Sequence, residues 1–419
     1  MQPNPTLAIV GSGPAGCYLA QTLRRSLPDA EITIFERLAS PFGLVRYGVA
    51  PDHQGTKSIQ AQFARLFERD NVRFAGNIDV GSVVTLDDLR ATHHVVVLAT
   101  GLARDRRVGV PGENLLGVFG AGQLTRTANS HPLEKPTLPP LGRTVAIIGG
   151  GNVSLDVVRF LIKTPGEFAG SDVNDVALEE YAAAPVTHID LICRSSPEAA
   201  PFDPAMVAEL GKTPGVQFTS LDHSTADGTT SVEAHPAALA ALLPSTPGGT
   251  PRVRVRLHFN ATTTRIIGMD HAVGVEVRRP DGQLQTIPAQ SVITAVGFDC
   301  DPSDPLIGDR GASQETGYLA EGLYRTGWAK RGARGTIPEN RHCAKAVAAE
   351  ILEYLAAAAL PAKPGYAGLP DAVHDRATDY AGWLRVDAAE RAAAPGNRSR
   401  KKLPDHAWMV ATARETVQK

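Results

Sequence analysis

The sequence has few cysteines, and no two of them have the spacing that metal or dithiol sites use. The four are Cys17, Cys193, Cys300 and Cys343. A zinc knuckle or a redox dithiol usually carries C-x-x-C, so neither is predicted and no metal site is expected. Cys17 falls in the first turn of a predicted helix, where a small packed side chain is expected rather than an activated thiol. Any redox chemistry must therefore come from a bound cofactor.

Long apolar runs and an excess of one charge are also missing. No run of 18 or more apolar residues occurs, so no membrane-spanning helix is predicted. The first residues, MQPNPT, lack the basic and apolar regions of a signal peptide, which makes the cytoplasm the expected location. The formal net charge is −2, so nothing global indicates binding to nucleic acid or to an anionic membrane.

The chain does contain enough apolar material for more than one core. With 419 residues, of which 43 % are apolar, two or three domains are expected. A proline-rich segment, HPLEKPTLPPLG at 131–142, has the composition of a linker. Two segments that alternate apolar and polar residues, RVRVRLHF and AVGVEVRR, are typical of antiparallel strands.

The first glycine-rich segment lies between two predicted strands, within residues 6–36. In its G-x-G-x-x-G pattern, Gly11 allows a tight turn, Gly13 lets the backbone approach a pyrophosphate, and Gly16 lets helix and strand pack closely. The start of the helix adds free N–H groups and the positive end of its dipole. Glu36 ends the second strand 20 residues after Gly16, where an acid accepts hydrogen bonds from a ribose. The pattern predicts a dinucleotide site; the alternatives are a purely structural turn and a solvated acid.

A second strand–turn–helix unit has Gly149, Gly151 and Ser154 at the three glycine positions. Serine is small enough for the close packing needed at the third position. The next strand, THIDLICR, arrives late, after an insertion, and ends at Arg194 with no acid. An arginine suits a 2′-phosphate, so this site favours NADP over NAD. The alternative is an arginine that is merely solvated at the end of a strand.

Two dinucleotide sites on one chain allow a hydride to pass from one cofactor to the other. The simplest pairing is a tightly held flavin with an exchangeable nicotinamide, and the cofactors carry the chemistry. The predicted fold class is α/β, with two Rossmann-like, three-layer dinucleotide-binding domains.

Several segments occur in one order and spacing: GSGPAG, PFGLVRYGVAPDH, RDRRVGVPGE, GGGNVSLDVVR and GLYRTGWAKRGARGTI. In these segments the chain resembles the ferredoxin–NADP reductases of the adrenodoxin-reductase type, within the glutathione-reductase-like flavoprotein superfamily. The resemblance runs from about residue 6 to the tail, where RKKLPDHAWM is also similar. PFGLVRYGVAPDH and GWAKRG are its most specific parts, because generic Rossmann proteins lack both.

The resemblance implies an NADP-binding domain, residues 106–324, inserted into an FAD-binding domain made of residues 1–105 and 325–419, the second part including the C-terminal tail. It implies an FAD-dependent NADPH oxidoreductase that takes a hydride from NADPH onto FAD. The electrons would pass singly to a ferredoxin-type iron–sulfur protein, which could serve a monooxygenase. Two alternatives stay open. Reduced FAD could act directly on a small organic substrate in a biosynthetic pathway, or the chain could be a non-catalytic nucleotide-binding protein.

The resemblance also implies which residues contact the cofactors. Those expected to contact FAD are Ala15, Glu36, Leu44, Val80, Trp328, Gly335, Thr336 and Ile337. Those expected to contact NADP are Arg106, Gly150, Gly151, Asn152, Val153, Arg194 and Gly335.

Two residues are candidates for a part in the chemistry itself. Trp328, which lies among glycines and basic residues in GWAKRG, is interpreted as an aromatic wall beside the flavin. The alternative is an ordinary core tryptophan. His53 closes PFGLVRYGVAPDH and could assist proton movement, because the unperturbed pKa of histidine lies near neutrality. The alternative is a structural histidine bonded to the backbone.

The chain departs from the family's pattern in two places. Family members usually have two arginines where this chain has Arg194 and Ser195, although Ser195 can still donate a hydrogen bond to a phosphate. Residues 213–251 contain no lysine or arginine, whereas family members carry a basic stretch there that docks an acidic iron–sulfur protein. Steering of such a partner would have to use other cations. The candidates are Arg24, Arg25, Lys330, Arg331 and the basic cluster at 398–402.

Overall fold

The computed structural model describes residues 4–222, 236–243, 249–301, 306, 315–357 and 360–415. Within these residues the strands are β1 (Thr6–Val10), β2 (Glu31–Phe35), β3 (Arg73–Ala75), β4 (Val95–Leu98), β5 (Arg104–Asp105), β6 (Val118–Gly120), β7 (Thr144–Ile148), β8 (His188–Ile192), β9 (Val216–Asp222), β10 (Val253–Phe259), β11 (Thr262–Gly268), β12 (Ala272–Arg278), β13 (Leu284–Pro288), β14 (Ser291–Thr294), β15 (Phe298–Asp299), β16 (Tyr318–Ala320) and β17 (Leu323–Arg325). The α-helices are α1 (Pro14–Ser26), α2 (Leu44–Tyr47), α3 (Gln54–Lys57), α4 (Gln60–Glu68), α5 (Leu86–Thr92), α6 (Ala121–Ala128), α7 (Asn152–Ile162), α8 (Asp175–Ala183), α9 (Pro204–Leu210), α10 (Ala237–Leu242), α11 (Trp328–Arg331), α12 (Ile337–Ala357), α13 (Asp371–Arg376), α14 (Tyr380–Ala392) and α15 (His406–Arg414).

The first sheet has the order β16-β17-β4-β1-β2-β3. Its strands run parallel except for the pairing of β16 with β17. A parallel sheet is covered on both faces and therefore needs continuous apolar strands. TLAIV and VVVL, which form β1 and β4, are buried along their whole length. The core on one face brings β1 together with α1, α12 and α14, so the tail of the chain completes the domain that the first residues begin.

The second sheet has the order β6-β14-β7-β8-β10-β9, and its pairs are parallel. Helices α6, α7, α9 and α10 cover one face. The antiparallel meander β11-β12-β13 covers the other beside β7 and β14. The sequence prediction holds for AVGVEVRR, which forms the antiparallel strand β12, but it is wrong for RVRVRLHF. That segment is the parallel strand β10, and it alternates because Arg254 and Arg256 lie on a sheet face that no described element covers there.

The chain crosses between the two sheets twice, at β5 and at β15. These two short strands pair with each other, Phe298 opposite Asp105 and Asp299 opposite Arg104. The outward crossing lies at β5, which ends at Asp105. The return crossing is at β15 rather than at 324, because β16 and β17 pair with β4 in the first sheet.

The insertion before β8 forms a 3-10 turn at Pro165–Phe168 and the helix α8. Part of the stretch without lysine or arginine, 223–235 and 244–248, lies outside the described residues. Among the helices that the structure describes, none is both long enough and apolar enough to cross a membrane.

Candidate functional site

In the first glycine turn, two glycines are needed because a side chain would clash with the backbone, whereas at the third a side chain would have room. Gly11 has φ +108°, and a Cβ added there would lie 2.5 Å from the carbonyl oxygen of Ala99. A Cβ on Gly16 would lie 2.1 Å from the carbonyl oxygen of Gly11. A Cβ on Gly13, by contrast, would have no described heavy atom within 4 Å. The space beside Gly13 is therefore open, which is where the backbone would approach a pyrophosphate.

Glu36 lies at the edge of this turn, directly after β2. Its Oε2 accepts hydrogen bonds from the backbone N of Ser12 at 3.1 Å and from Ser12 Oγ at 2.6 Å. Its Oε1 accepts one from the backbone N of Leu38 at 3.2 Å. Because each carboxylate oxygen has two lone-pair positions, this network still leaves capacity for a ribose hydroxyl. Glu36 is thus held in the place that the sequence pattern predicts.

Two later segments close around the same turn. Gly43, at φ +48°, precedes Leu44, and its added Cβ would lie 3.1 Å from Gly13 Cα. Gly327, at φ +65°, precedes Trp328, and its added Cβ would lie 2.4 Å from the Cβ of Ala15. These close backbone approaches bring three predicted FAD contacts, Ala15, Leu44 and Trp328, to one side of the first sheet.

The remaining predicted FAD contacts lie close by. Val80 is buried in the cluster that includes Val10 and Phe35, at the ends of β1 and β2. Gly335, Thr336 and Ile337 form the start of α12. There the backbone N of Thr336 donates to Glu339 Oε2 at 2.8 Å. This helix start is adjacent to α11, because Arg331 Nη2 donates to Asn340 Oδ1 at 3.0 Å.

Trp328 stacks on Phe298, with ring centroids 5.6 Å apart and planes at 22°. Phe298 belongs to β15, so this stack joins the FAD side of the molecule to a crossing between the domains. The indole Nε1 of Trp328 is buried and has no hydrogen-bond partner among the described residues. A buried indole N–H usually finds a partner, so this donor fits an acceptor supplied by a bound group.

The second glycine turn repeats the geometry of the first. Gly149 has φ +142°, and an added Cβ would lie 2.3 Å from the carbonyl oxygen of Ala295. A Cβ on Gly151 would have no described heavy atom within 4 Å. Ser154 is fully buried and donates from Oγ to the carbonyl oxygen of Gly151 at 2.6 Å, which is how serine replaces the third glycine. At Gly150 an added Cβ would meet Cys193 Sγ at 3.4 Å.

The predicted NADP contacts lie around this second turn. Asn152 and Val153 begin α7, and Asn152 Oδ1 accepts a hydrogen bond from the backbone N of Asp203 at 2.8 Å. Arg194 is exposed just beyond β8, and its guanidinium has no ion pair or hydrogen bond within the described part of the chain. Ser195 follows it, and its carbonyl oxygen accepts from the backbone N of Asn260 at 3.0 Å.

Arg106 reaches the same region from the first crossing. Its backbone N donates to the carbonyl oxygen of Gly297 at 2.9 Å, and its Nη2 donates to that of Phe298 at 3.1 Å. Arg106 and the Gly149 turn therefore both lie against the segment that leaves β14.

Comparison with known proteins agrees with this geometry. Residues 5–194 match the family described as pyridine nucleotide-disulphide oxidoreductase. Over 421 residues the chain is 41 % identical to the cindoxin reductase of Citrobacter braakii, covering 98 % of this chain and 92 % of that protein. Over 461 residues it is 31 % identical to the mitochondrial NADPH:adrenodoxin oxidoreductase of Homo sapiens, covering 97 % and 91 %. The chain belongs to the ferredoxin and adrenodoxin reductase family.

A solved structure of the same family supports the assignment. Mycobacterium tuberculosis FprA in complex with NADPH matches with a TM-score of 0.88 at 28 % identity, covering 99 % of this chain and 100 % of that one. FAD and NADP are the cofactors of the reductase family, and the residues present fit both. The open positions at Gly13 and Gly151, the orphan Nε1 of Trp328 and the unpaired guanidinium of Arg194 are each suited to a nucleotide ligand.

A charged cluster joins the two halves of this reductase, and only part of it could be predicted from the sequence. Asp52 accepts from Arg159 Nε and Nη2, both at 3.0 Å, and from Lys163 Nζ at 2.6 Å. Burial raises the pKa of Asp52, but the two cations outweigh burial and hold that pKa below its usual value. The sequence signal lay in and just after α7, where Asp156 and Arg159 are on the helix and Lys163 follows its last residue.

His53 lies in this cluster, between the two domains. Its Nε2 is 3.3 Å from Glu209 Oε2, and its Nδ1 is 3.7 Å from Asp156 Oδ1. Its described side-chain partners are thus carboxylates, which differs from the backbone-bonded alternative. Burial raises the pKa of Asp156 above the usual value for a carboxyl group.

Half of the eight cations considered for partner steering are largely buried, whereas Arg25 is exposed. Lys330 is buried and donates to the carbonyl oxygen of Glu315 at 2.6 Å. Arg398, Arg400 and Lys402 are largely buried and ion-paired. Within the predicted 398–402 cluster, Lys401 is the exposed lysine. Apart from Lys401, the cations near the C-terminus are therefore largely buried, where carboxylates that are distant in sequence neutralise their charge.

Proposed function

We propose that this chain is an FAD-dependent NADPH reductase that delivers electrons one at a time to a small ferredoxin-type iron–sulfur protein. The observation that carries the proposal is the pair of glycine turns, each with an open middle glycine at the start of a helix. When bound, FAD accepts a hydride from NADPH and returns the two electrons singly. The names of the relatives, reductases of ferredoxin, adrenodoxin and cindoxin, support a protein acceptor. Such an acceptor could in turn serve a monooxygenase.

The chain's own residues bind and orient the two nucleotides. The N–H groups at the starts of α1 and α7 face the pyrophosphates. Glu36 accepts from the ribose of FAD, while Arg194 and Ser195 recognise the 2′-phosphate of NADP. Arg106 and Gly335 lie where the NADP and FAD sides meet. Trp328, with Phe298 stacked on it, excludes water from the reacting region.

His53 is proposed to assist proton movement, with its Nε2 near the Glu209 carboxylate and its Nδ1 near the Asp156 carboxylate. Asp52 forms ion pairs with Arg159 and Lys163 and so holds the backbone next to His53 in place. The proposal includes the cytoplasm as the location, and it is supported by the bacterial origin of relatives such as the cindoxin reductase of Citrobacter braakii.

A direct action of the reduced flavin on a small organic substrate is the second candidate. It is favoured by the absence of lysine and arginine from residues 213–251 and by the internal position of the 398–402 cations. Both observations remove charges that would attract an acidic protein. The non-catalytic alternative is disfavoured by the open second turn and the unpaired Arg194 beside it.

The deciding experiment is an acceptor assay with the FAD-loaded protein. Cytochrome c reduction by NADPH is measured with and without an added [2Fe–2S] or [4Fe–4S] ferredoxin. Ferricyanide reduction serves as the control, since any reduced flavin performs it. The proposal predicts that cytochrome c reduction depends on the ferredoxin and saturates with it. A rate that no ferredoxin raises, together with normal ferricyanide reduction, would support the small-substrate candidate instead.

A further inference from the structure

The segment 397–403, which we call the C-terminal strap, runs between the two domains. Its first half is bonded to the insertion of the second domain. The carbonyl oxygen of Asn397 accepts from the backbone N of Gly170 at 2.8 Å, and the backbone N of Ser399 donates to the carbonyl oxygen of Ser171 at 2.9 Å. Arg398 Nε donates to Asp175 Oδ1 at 2.8 Å. These contacts attach the strap to the domain that carries the second glycine turn.

The second half of the strap is bonded to α14 of the first domain. Arg400 Nη1 donates to Asp387 Oδ1 at 2.5 Å. The backbone N of Lys401 donates to the carbonyl oxygen of Glu390 at 2.9 Å, and that of Leu403 donates to Glu390 Oε1 at 3.0 Å. One short stretch of chain is therefore held by both domains at once.

Lys402 extends from the strap into the interior and shares its acceptors with Lys57 of α3. Lys57 Nζ donates to Asp172 Oδ1 at 2.6 Å, to Asn129 Oδ1 at 2.5 Å and to the carbonyl oxygen of Arg46 at 3.4 Å. Lys402 Nζ is 2.9 Å from Asp172 Oδ2 and donates to the same Asn129 Oδ1 at 2.9 Å and to the same Arg46 oxygen at 3.2 Å. Each ammonium thus has three acceptors for its three protons.

The charges in this cluster do not balance. Two lysines share one carboxylate, since Arg46 is already paired with Glu390. Lys57, Lys402 and Asp172 are each 4 % exposed. Burial lowers the pKa of both lysines, while the two lysines outweigh burial at Asp172 and bring its pKa down to about 2. Removing Lys402 would leave a balanced Lys57–Asp172 pair, so the stability of the fold alone does not explain why Lys402 is there.

Buried ionic groups can instead select one arrangement among several that are similarly stable. The two domains are joined covalently only at β5 and β15 within the described residues, and such a pair of short linkers permits hinge motion. Contacts between the domains hold one orientation, and the ion pairs of Asp52 with Arg159 and Lys163 are among them. The strap adds a contact of its own, because the Lys402 ammonium bonds at once to Asp172 and Asn129 of the second domain and to the Arg46 carbonyl oxygen of the first.

We propose that the C-terminal strap is an interdomain brace and that Lys402 is a positioning residue, which sets the orientation of the NADP-binding domain toward the FAD-binding domain. This rests on the proposed function in so far as the orientation controls hydride transfer from NADPH. Lys57, Asp172 and Asn129 form the socket for the Lys402 ammonium. The brace acts through the placement of the two domains.

The test compares Lys402→Met with Lys401→Met in the FAD-loaded protein. The two substitutions are the same, but Lys401 is exposed and its neighbour is buried. Amide hydrogen exchange is followed in peptides covering 165–175 and 397–403. We expect Lys402→Met to raise exchange there about tenfold, as local opening becomes easier, with FAD content unchanged and with Lys401→Met equal to the parent. Unchanged exchange in both variants would overturn the proposal.

A second readout ties the brace to the reaction. Stopped-flow reduction of the flavin by saturating NADPH should slow about tenfold or more in Lys402→Met, because small misplacements of reacting groups cost large factors in rate. The affinity for NADPH should be unchanged. A lower NADPH affinity or a lower FAD content with a normal reduction rate would place Lys402 in ordinary packing and contradict the positioning role.

A milder variant keeps the test valid if Lys402→Met folds poorly. Arg398→Gln frees the strap from Asp175, whose side chain is 22 % exposed, without removing the buried lysine. It should raise exchange in the same peptides to a smaller extent, and no increase would also overturn the proposal. The exchange readout needs no electron acceptor, so it stands even if the ferredoxin assay fails.

Discussion

At the scale of single residues, Glu36 has one role that the structure shows and one that is proposed. Its carboxylate holds the first glycine turn through both donors of Ser12, and we propose that it also accepts a hydrogen bond from a ribose. The sequence predicted the ribose contact from spacing alone. It did not predict the first role, because a hydrogen bond from Ser12 depends on how the turn folds back toward β2.

Replacing this carboxylate should lower the FAD content. A hydrogen bond to a charged group contributes about 1.5–3 kcal/mol, so Glu36→Ala should be purified with substantially less than one FAD per chain. The ratio of flavin to protein absorbance measures this directly. Asp29→Ala, which changes an exposed acid on the loop before β2, should keep full occupancy. Full occupancy in Glu36→Ala would remove Glu36 from the site.

Arg194 should decide between the two coenzymes. Its guanidinium is exposed and unpaired within the described residues, so it is available to a 2′-phosphate. Arg194→Ala should raise the apparent constant for NADPH by about tenfold or more, the equivalent of a charged hydrogen bond, and hardly affect NADH. Steady-state ferricyanide reduction with each coenzyme checks this. If the apparent constants for NADPH and NADH rise equally, or if NADH is already the better donor in the parent, Arg194 does not recognise the 2′-phosphate.

At the scale of elements, the two β-α-β units show why local patterns predict well. The strands, the turns and the helix starts are set by residues within about 30 positions of one another, as is general for this unit. The direction of β10 was mispredicted for the opposite reason. The alternation in RVRVRLHF shows that one face of the strand is exposed. The direction of the strand depends instead on its neighbours β8 and β9, whose pairing with β10 cannot be read from this segment.

The glycine turns allow a matched pair of substitutions in the second domain. Gly151→Ala adds a methyl group where no described atom lies within 4 Å, whereas Gly149→Ala adds one 2.3 Å from the carbonyl oxygen of Ala295 at φ +142°. Gly151→Ala should therefore fold normally, keep FAD and bind NADPH more weakly. Gly149→Ala should lower the melting temperature. Calorimetry and NADPH titration would separate the two effects, and normal NADPH binding by Gly151→Ala would argue against a pyrophosphate at this turn.

At the scale of the whole molecule, the relation between the domains was the hardest part to predict. The C-terminal cations 398–402 were expected to be a surface for steering, and all of them except Lys401 are largely buried and ion-paired. Their partners at 172, 175, 387 and 390 come from two different domains, so no local pattern reveals the pairing. For the same reason the return crossing at β15 depends on the pairing of β17 with β4, which the sequence around 324 does not encode.

Acid stability should depend on histidines that the fold keeps neutral. His93 is buried beside Phe35, and burial lowers its pKa from 6.5 to about 4. Below pH 6.5 the unfolded chain binds a proton at His93 that the folded chain does not bind. The contribution of His93 to the free energy of unfolding is therefore complete above pH 6.5 and is lost as the pH falls toward 4. At about 1.4 kcal/mol per pKa unit, His93 alone should lower the free energy of unfolding by about 3 kcal/mol.

Urea unfolding between pH 7 and pH 4 measures this loss. His93→Phe, which keeps a ring of similar size without a titrating group, should show a shallower dependence of unfolding free energy on pH. His342→Phe, at an exposed position on α12, should retain the steep dependence. Equal slopes in His93→Phe and the parent would mean that His93 is protonated in the folded protein.

The central claim is that one chain brings a tightly held FAD and an exchangeable NADPH together. Anaerobic titration of the purified protein tests it most directly, by following the flavin absorbance as NADPH is added. The account predicts one FAD per chain, bleached fully by about one equivalent of NADPH since a hydride carries both electrons, and bleached faster by NADPH than by NADH. A protein without flavin, or a flavin that NADPH leaves oxidised, would contradict it.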